Sequence, residues 1–144
     1  MTLKRKSPEA DQQVTTAHLL LPWPRRALWQ NFKCHWSLEA KAVKQARMGA
    51  FYASLDAGLT RMPTGEGWTH HLSFDFCPPD RRKRDLQNMP ATQKAAIDGI
   101  ADALKVDDAT FKVKWPEEFG TVSDNGGSVL VVVRAIQTEA RVAA

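Results

Sequence analysis

The sequence predicts one α/β domain of the α+β kind, in which two helices pack on a mixed, partly antiparallel sheet of about four strands. Three observations predict it. The segment "WTHHLSFDF" alternates between apolar and polar residues, as a half-buried strand does. Two other segments carry apolar residues at helical spacing. The elements follow one another as β, α, β, α, β, β, which favours a layered sheet-and-helix domain.

The chain before the first helix divides into a tail, a strand and an irregular segment. Residues 1–15 are polar and without periodicity, which predicts a mobile basic tail ahead of a domain over 16–144. "HLLLPW" is typical of a short strand that ends at Pro22 and Pro24. The next segment mixes cations with aromatic rings, which either bind nucleic acid or divide between core and solvent. Its members are Arg25, Arg26, Trp29, Phe32, Lys33 and Trp36.

The segment "SLEAKAVKQARMGAFYASLDAG" predicts the first helix. Ser37 is a candidate N-cap and Gly58 a natural stop. A stripe of small residues predicts close packing on the sheet; it comprises Val43, Ala46, Ala50, Ala53 and Ala57. Lys41, Lys44 and Arg47 follow another face at intervals of three residues. This face either contacts phosphates or is an ordinary solvated surface.

The second half of the chain begins with the strand "WTHHLSFDF", in which His70 falls on the apolar face and has a structural role. A second helix is expected after Asn88 or Met89 as the cap, with Pro90 in the first turn. Its apolar stripe comprises Ile97, Ile100, Ala101 and Leu104. "VDDATFKVKW" leads into another strand, "SDNGG" is typical of a hairpin turn, and "SVLVVVRAI" is the most hydrophobic strand.

Charge and cysteine content narrow the class of partner. The net charge is +4, and Arg81, Arg82, Lys83 and Arg84 alone contribute four positive charges. A local basic patch indicates an anionic partner, nucleic acid before a membrane surface. No apolar run is long enough for a membrane span. The two cysteines fit the reduced state of a cytoplasmic protein, and their spacing from histidines does not support zinc.

Several carboxylates lie at the ends of elements on either side of the second helix. Asp85 precedes this helix and Asp107 and Asp108 follow it, so they can converge once the chain turns back. Clustered carboxylates suit Mg²⁺ or Mn²⁺, which activate water in phosphodiester cleavage. Lys94 could then neutralise charge in the transition state. The alternative is that these acids and cations are ordinary solvated residues of loops and helix ends.

The stretch "PPDRRKRDLQNMPATQKAAIDGIADALKVDDATF" closely resembles the signature of RusA-type endodeoxyribonucleases, which resolve Holliday junctions. That signature reads Pro-Asp-x-Arg-Arg-x-Asp-x-Asp-Asn, then a helix with a lysine, then Asp-Asp. The resemblance covers about residues 17–137 and is strongest to phage and prophage members. It implies a cytoplasmic homodimer in a bacterial cell that nicks four-way DNA junctions with Mg²⁺, in recombination and repair, without a small-molecule cofactor.

Carried onto this chain, the resemblance makes Asp85, Asp108 and Lys94 the catalytic residues. Asp85, Asp107 and Asp108 are the expected metal ligands, and Asp80 and Asn88 also match. Asn88 is expected to contact DNA. The charge pattern of the chain adds the loop cations Arg81, Arg82, Lys83 and Arg84 and the helix cations Lys41, Lys44 and Arg47 as expected DNA contacts.

One position departs from the signature. Gln87 stands where the pattern has a metal-ligating aspartate. Its amide oxygen can coordinate a metal ion but lacks the charge that holds Mg²⁺ and lowers the pKa of bound water. Two readings follow: a junction-resolving nuclease with weakened metal use, or a catalytically inactive protein that binds junctions. A third reading is a small assembly protein whose basic loop is incidental.

Overall fold

The computed structural model describes residues 14–138. It contains four strands in one mixed sheet and two α-helices, which confirms the predicted α+β fold and its order of elements. The strands are β1 (Thr16–Pro22), β2 (Trp68–Cys77), β3 (Lys112–Lys114) and β4 (Ser128–Gln137), and the helices are α1 (Trp36–Asp56) and α2 (Lys94–Leu104). Short 3₁₀ helices occupy Arg26–Leu28, Leu59–Arg61, Leu86–Asn88, Pro90–Gln93 and Asp108–Thr110. In the part described, neither helix is long and apolar enough to cross a membrane.

The predicted tail extends two residues into the folded part of the chain. Residues 1–13 of that tail lie outside the described residues. The Val14 backbone N–H donates to the Arg61 carbonyl at 3.2 Å, and the Thr15 carbonyl accepts from Ala135 N–H at 2.8 Å. Val14 also packs against the core. The domain therefore includes Val14 and Thr15.

The sheet has the order β1-β4-β2-β3. The last strand, β4, lies between β1 and β2 and is antiparallel to both, whereas β3 is parallel to β2. The prediction that "SDNGG" forms a hairpin turn is wrong, because β3 and β4 do not pair. The turn instead contacts the loop after β2, where Ser123 N–H donates to the Pro78 carbonyl at 2.8 Å. A turn pattern specifies a local reversal of the chain, but it does not specify which strands pair.

The core lies between the inner face of the sheet and the two helices. Leu72, Phe74 and Phe76 of β2 face inward with the buried valines of β4, as the alternation predicts. His70 is also buried, and its Nε2 lies 2.8 Å from the Pro63 carbonyl oxygen. This bond satisfies the imidazole within the core, which confirms the structural role expected for His70.

Helix α1 begins two residues earlier than expected, at Trp36. Its N-cap is His35 rather than Ser37, since the His35 Nδ1 accepts a hydrogen bond from Ser37 N–H at 3.2 Å. The helix ends at Asp56, and Gly58 follows it with a φ of 85°. Gly58 thus provides the left-handed residue that commonly follows a helix, as the sequence predicts.

The small-residue stripe of α1 packs mainly on α2 rather than on the sheet. A Cβ atom built on Gly99 of α2 would lie 2.2 Å from the Arg47 carbonyl oxygen and 3.0 Å from the Ala50 Cβ. The two backbones therefore approach closely at Gly99. Val43 was expected in this stripe but is 40% exposed, and Ala42 is buried in its place. The other four members, Ala46, Ala50, Ala53 and Ala57, are buried or half-buried, so the stripe is confirmed except at its first residue.

Helix α2 begins later than the predicted cap. Met89 precedes the 3₁₀ helix Pro90–Gln93, in which Pro90 is the first residue, and the α-helix itself starts at Lys94. Of the two predicted caps, Met89 precedes the 3₁₀ segment as its N-cap, and Asn88 does not cap it. The N-cap of the α-helix itself is Gln93. The apolar stripe is confirmed, since Ile97, Ile100, Ala101 and Leu104 are all buried.

Candidate nucleic-acid interface and acidic cleft

The basic loop, Asp80–Arg84, is held together by the aspartate at its start. One carboxylate oxygen of Asp80, Oδ1, accepts from Arg82 N–H at 2.9 Å and from Arg84 Nη2 at 2.7 Å. Arg84 Nη1 also donates to the carbonyls of Asp80 and Arg82. The hydrogen bond from the Arg82 backbone, and then that from Arg84, lower the pKa of Asp80. The Asp80 carboxylate therefore fixes the conformation of the loop through its ion pair with Arg84 and its hydrogen bond from Arg82.

The four cations of this loop have two roles. Arg84 has a side chain only 14% exposed and is occupied by Asp80, so it serves the loop rather than meeting DNA as freely as predicted. Arg81, Arg82 and Lys83 are exposed, and their side chains form no ion pair with residues 14–138. Unpaired, exposed cations of this kind can contact phosphate groups.

Aromatic rings from the segment after β1 meet the basic loop. The Arg84 guanidinium carbon lies 5.5 Å from the centroid of the Trp23 ring, whose neighbour Trp29 is 6.2 Å away. Arg26 lies over Phe32 at 5.8 Å. Together they line an open groove of about 600 Å³, here named the cation–aromatic groove. Its lining comprises Trp23, Pro24, Arg26, Trp29, Asn31, Phe32, Pro79, Asp80, Arg82 and Arg84.

The sequence left open whether the aromatic rings after β1 belong to the core or to a nucleic-acid-binding surface. Trp23 and Trp29 pack partly against the core but also line the groove. Phe32 is 41% exposed and Trp36 is 73% exposed, so neither is a core residue. Exposed aromatic faces next to arginines are suited to stacking with bases.

A second open cleft, here named the acidic cleft, holds two carboxylates, one from before α2 and one from after it. Asp85 and Gln87 line it together, and Asp85 caps the 3₁₀ helix Leu86–Asn88 by accepting from Gln87 N–H at 3.0 Å. Glu117 lines the same cleft, beside Trp115. Sequence reasoning missed Glu117, since only the parallel pairing of β2 with β3 carries residue 117 back to the end of β2. Asn88 is half-buried and lines neither this cleft nor the groove.

The residues after α2 return to its first turn. Lys94 Nζ lies 2.7 Å from Asp108 Oδ2 and 3.0 Å from Asp98 Oδ1. The hydrogen bond to Asp108, and then that to Asp98, raise the pKa of Lys94, and the same bond lowers the pKa of Asp108. Asp107 instead caps the 3₁₀ helix by accepting from Ala109 N–H at 3.0 Å. Asp98 was missed, although its four-residue spacing from Lys94 signals such a pair.

The helix cations also differ in their surroundings. Arg47 forms a two-pronged ion pair with Asp102 of α2, at 2.7 Å from Nε and 2.9 Å from Nη2. Its guanidinium therefore joins the two helices and is less available to DNA than predicted. Lys41 and Lys44 are exposed and form no ion pair within residues 14–138.

The carboxylates do not gather into one metal site. Magnesium needs several hard oxygen ligands around one point. Within residues 14–138, no three side chains of the His, Cys, Asp and Glu types are grouped so that they could hold a metal ion. Asp85 and Glu117 share the cleft, whereas Asp108 is engaged by Lys94. With Gln87 in place of an acid, this donor set does not fit a three-carboxylate magnesium site.

Acid should weaken the ion pair between the two helices. Arg47 lowers the pKa of Asp102, so the pair stabilises the folded state above the ordinary carboxyl pKa of about 3.9 and is lost as the pH falls through the lower, folded value. We expect the melting temperature of Asp102→Asn to fall less than that of the parent between pH 6 and pH 3. Asp124→Asn is the control, because Asp124 is exposed and forms no ion pair within residues 14–138. An unchanged acid dependence in Asp102→Asn would contradict the role of this pair.

Comparison with known proteins identifies a relative whose sequence identity and coverage are high enough to show common family membership. No family model matches the chain. A Xylella fastidiosa (strain Temecula1 / ATCC 700964) protein described as "Uncharacterized protein" is 38% identical over 122 residues, which are 85% of this chain and 78% of that protein. A solved structure, IspF of Plasmodium falciparum in complex with CDP, matches 72% of this chain and 59% of its own with 16% identity and a TM-score of 0.29. That structural similarity is too low to carry an argument. The chain belongs to the same family as the Xylella fastidiosa protein.

Proposed function

We propose that this chain is a RusA-type protein: a structure-selective endodeoxyribonuclease that binds four-way DNA junctions and nicks them in recombination and repair. The proposal rests on the motif between Asp80 and Asp108. The observation that carries it is the cation–aromatic groove, which joins the motif's basic loop to the aromatic segment after β1. Both parts are what a DNA-binding surface needs, and they come from distant parts of the chain.

Binding to DNA has two components at this surface. Arg81, Arg82 and Lys83 project from the loop and can neutralise phosphates, which supplies affinity without regard to sequence. Phe32 and Trp29 offer ring faces to unstacked bases. Bases are unstacked more readily at a branch point than within a duplex, so a surface that combines both components favours branched DNA over linear duplex.

The outer face of the sheet offers a second copy of the chain an apolar surface. Leu20 and Leu130 are cross-strand partners on the outer face of the sheet and are 68% and 40% exposed, and Ile136 on the same face is 43% exposed. An exposed apolar patch of this kind often marks a protein interface. A two-fold dimer would present equivalent grooves to the equivalent arms of a four-way junction.

Cleavage is the part of the proposal that depends on a divalent ion. Bound Mg²⁺, or Mn²⁺ in its place, would supply an activated water and stabilise the leaving oxygen. Asp85 and Glu117 line the acidic cleft while Asp108 pairs with Lys94, so these carboxylates do not form one set that would hold the ion. Lys94 is the residue of the motif that could stabilise negative charge on a phosphate, once it is released from Asp108.

Restoring the missing carboxylate should strengthen cleavage. We expect Gln87→Asp to raise Mg²⁺-dependent nicking of a four-way junction by about tenfold or more, since changes beside a metal commonly alter activity by 10- to 100-fold. The measurement is strand nicking of a labelled junction, titrated with Mg²⁺ and Mn²⁺. Asp85→Asn is the matched control and should abolish the activity. Unchanged cleavage in Gln87→Asp, with loss in Asp85→Asn, would show that position 87 has no role at the metal.

A catalytically inactive junction-binding protein is the second candidate. Gln87 and the pairing of Asp108 with Lys94 favour it, because neither leaves a carboxylate free to hold a metal at that position. A gel-shift assay beside the nicking assay separates the two candidates. Tight junction binding without any product in either Mg²⁺ or Mn²⁺ would favour the inactive protein.

A further inference from the structure

A cavity of about 150 Å³ lies beneath Trp23, between the end of β1, helix α1 and the 3₁₀ helix Pro90–Gln93. Its walls are mainly apolar and include Leu21, Ala46, Ala50 and Ala96. No residue of the acidic cleft lines it. The cavity is therefore separate from the acids that the proposed nuclease would use.

The size of the cavity limits what it can hold. A cavity of about 150 Å³ lined by apolar side chains is known to accommodate benzene. This volume admits one six-membered aromatic ring and is small for the fused rings of a purine. Among the parts of a nucleic acid, a pyrimidine base is the group that matches it.

A buried amide provides the polar contact that such a base requires. The Gln93 side chain lines the cavity and is only 3% exposed. Its Nε2 donates to Thr92 Oγ1 at 3.1 Å, and Thr92 Oγ1 donates to the Met89 carbonyl at 2.6 Å. The Gln93 Oε1 accepts no hydrogen bond from residues 14–138. This oxygen can accept a hydrogen bond from an N–H group on the edge of a base, such as N3–H of thymine.

The cavity adjoins the surface that would bind DNA, since the two share lining residues. Trp23 and Pro24 line both the cavity and the cation–aromatic groove, and the exposed Arg25 lines the cavity as well. A strand whose phosphates lie along the basic loop would thus pass the entrance. One base rotated out of the stack could enter, while Arg25 contacts its phosphate.

We propose that this cavity is a binding site for one unpaired pyrimidine of the bound DNA strand, with Gln93 as the residue that contacts the base edge. The inference rests on the proposed function in requiring DNA to bind in the groove. It goes beyond that function in giving the protein a preference for a base at one position, independent of metal ions and of cleavage.

The test measures affinity for two forked DNAs in EDTA by fluorescence anisotropy. Each DNA has single-stranded arms of twelve nucleotides. In the first DNA all of these nucleotides are adenines, and in the second DNA a single thymine replaces a central adenine of one arm. We expect the parent protein to bind the arm with thymine about tenfold more tightly, which is within the range for one well-seated base. Gly49→Leu should bind both DNAs with the affinity that the parent has for the all-adenine arm, because the new side chain fills the cavity.

Gly49 is suited to this test because it lines the cavity and a Cβ built on it meets no atom within 4 Å, so the new side chain starts in open space. Val43→Leu is the matched control, since residue 43 is exposed on the same helix and does not line the cavity. It should keep the tenfold preference. Gln93→Met, which retains the size of the side chain but loses the amide, should lose most of the preference and keep the affinity for the all-adenine arm.

The outcomes separate the inference from the function on which it rests. Equal affinity of the parent for both DNAs, or a preference that persists in Gly49→Leu, would overturn the pyrimidine site while leaving DNA binding intact. Failure of the parent to bind either forked DNA, while it still binds a four-way junction, would also overturn the site. Failure to bind the four-way junction as well would overturn the proposed function.

Discussion

Reversing the charge of Arg81, Arg82 and Lys83 together to glutamate is expected to lower the affinity for a four-way junction by about 100-fold at moderate salt. Each cation that neutralises a phosphate releases a counterion, so affinity depends steeply on both charge and salt. The three side chains are exposed and form no ion pair with the described residues. Their reversal therefore removes DNA contacts while leaving the Asp80–Arg84 ion pair in place.

The salt dependence of binding distinguishes contact from general repulsion. If the three cations meet phosphates, the slope of log affinity against log salt should become shallower by about 2 to 3. Reversal of Lys105, Lys112 and Lys114, three exposed lysines outside the basic loop, changes the net charge equally and is the matched control. Equal loss in both triple variants would mean that the basic loop has no special role. Intact affinity in the loop variant would support the assembly-protein reading instead.

Replacing Gly99 with alanine is expected to destabilise the protein by about 3 kcal/mol, or roughly 10 °C in melting temperature. An added Cβ would lie 2.2 Å from the Arg47 carbonyl oxygen, which belongs to the backbone of α1 and cannot rotate away. The helices would have to separate, which would strain the Arg47–Asp102 ion pair and loosen the packing around Ala50.

Gly49 offers the matched control on the facing helix. A Cβ there meets nothing within 4 Å, so Gly49→Ala should stabilise the protein by about 0.5–1 kcal/mol through helix propensity alone. Thermal and urea denaturation of both variants measure the difference. Similar stabilities of Gly99→Ala and Gly49→Ala would show that the helices do not pack as closely as described.

The elements of this protein were largely predictable, because each is specified by neighbouring residues. The alternation of β2 identified its buried face, including His70. The stripe from Ile97 to Leu104 identified the buried face of α2. In each case the physical information lies within a few residues of the chain.

The candidate site was predictable only in part. The sequence by itself pointed to the basic loop, to Asp85 and to the possibility that Asp107 and Asp108 converge with it. It did not distinguish Arg84 from its three neighbours. Arg84 differs from them because its guanidinium pairs with Asp80 and lies over the Trp23 ring. It also left open whether the aromatic segment was core or surface, since exposure depends on what covers a residue.

Only the tertiary structure decided which distant residues meet. Insertion of β4 between β1 and β2 leaves β3 parallel to β2, and this pairing brings Glu117 to the cleft of Asp85. The return of the chain after α2 brings Asp108 to Lys94. The approach of α1 to α2 at Gly99 turned Arg47 toward Asp102 and exposed Val43. Periodicity is a property of adjacent residues, whereas strand order and helix contacts depend on how the whole core packs.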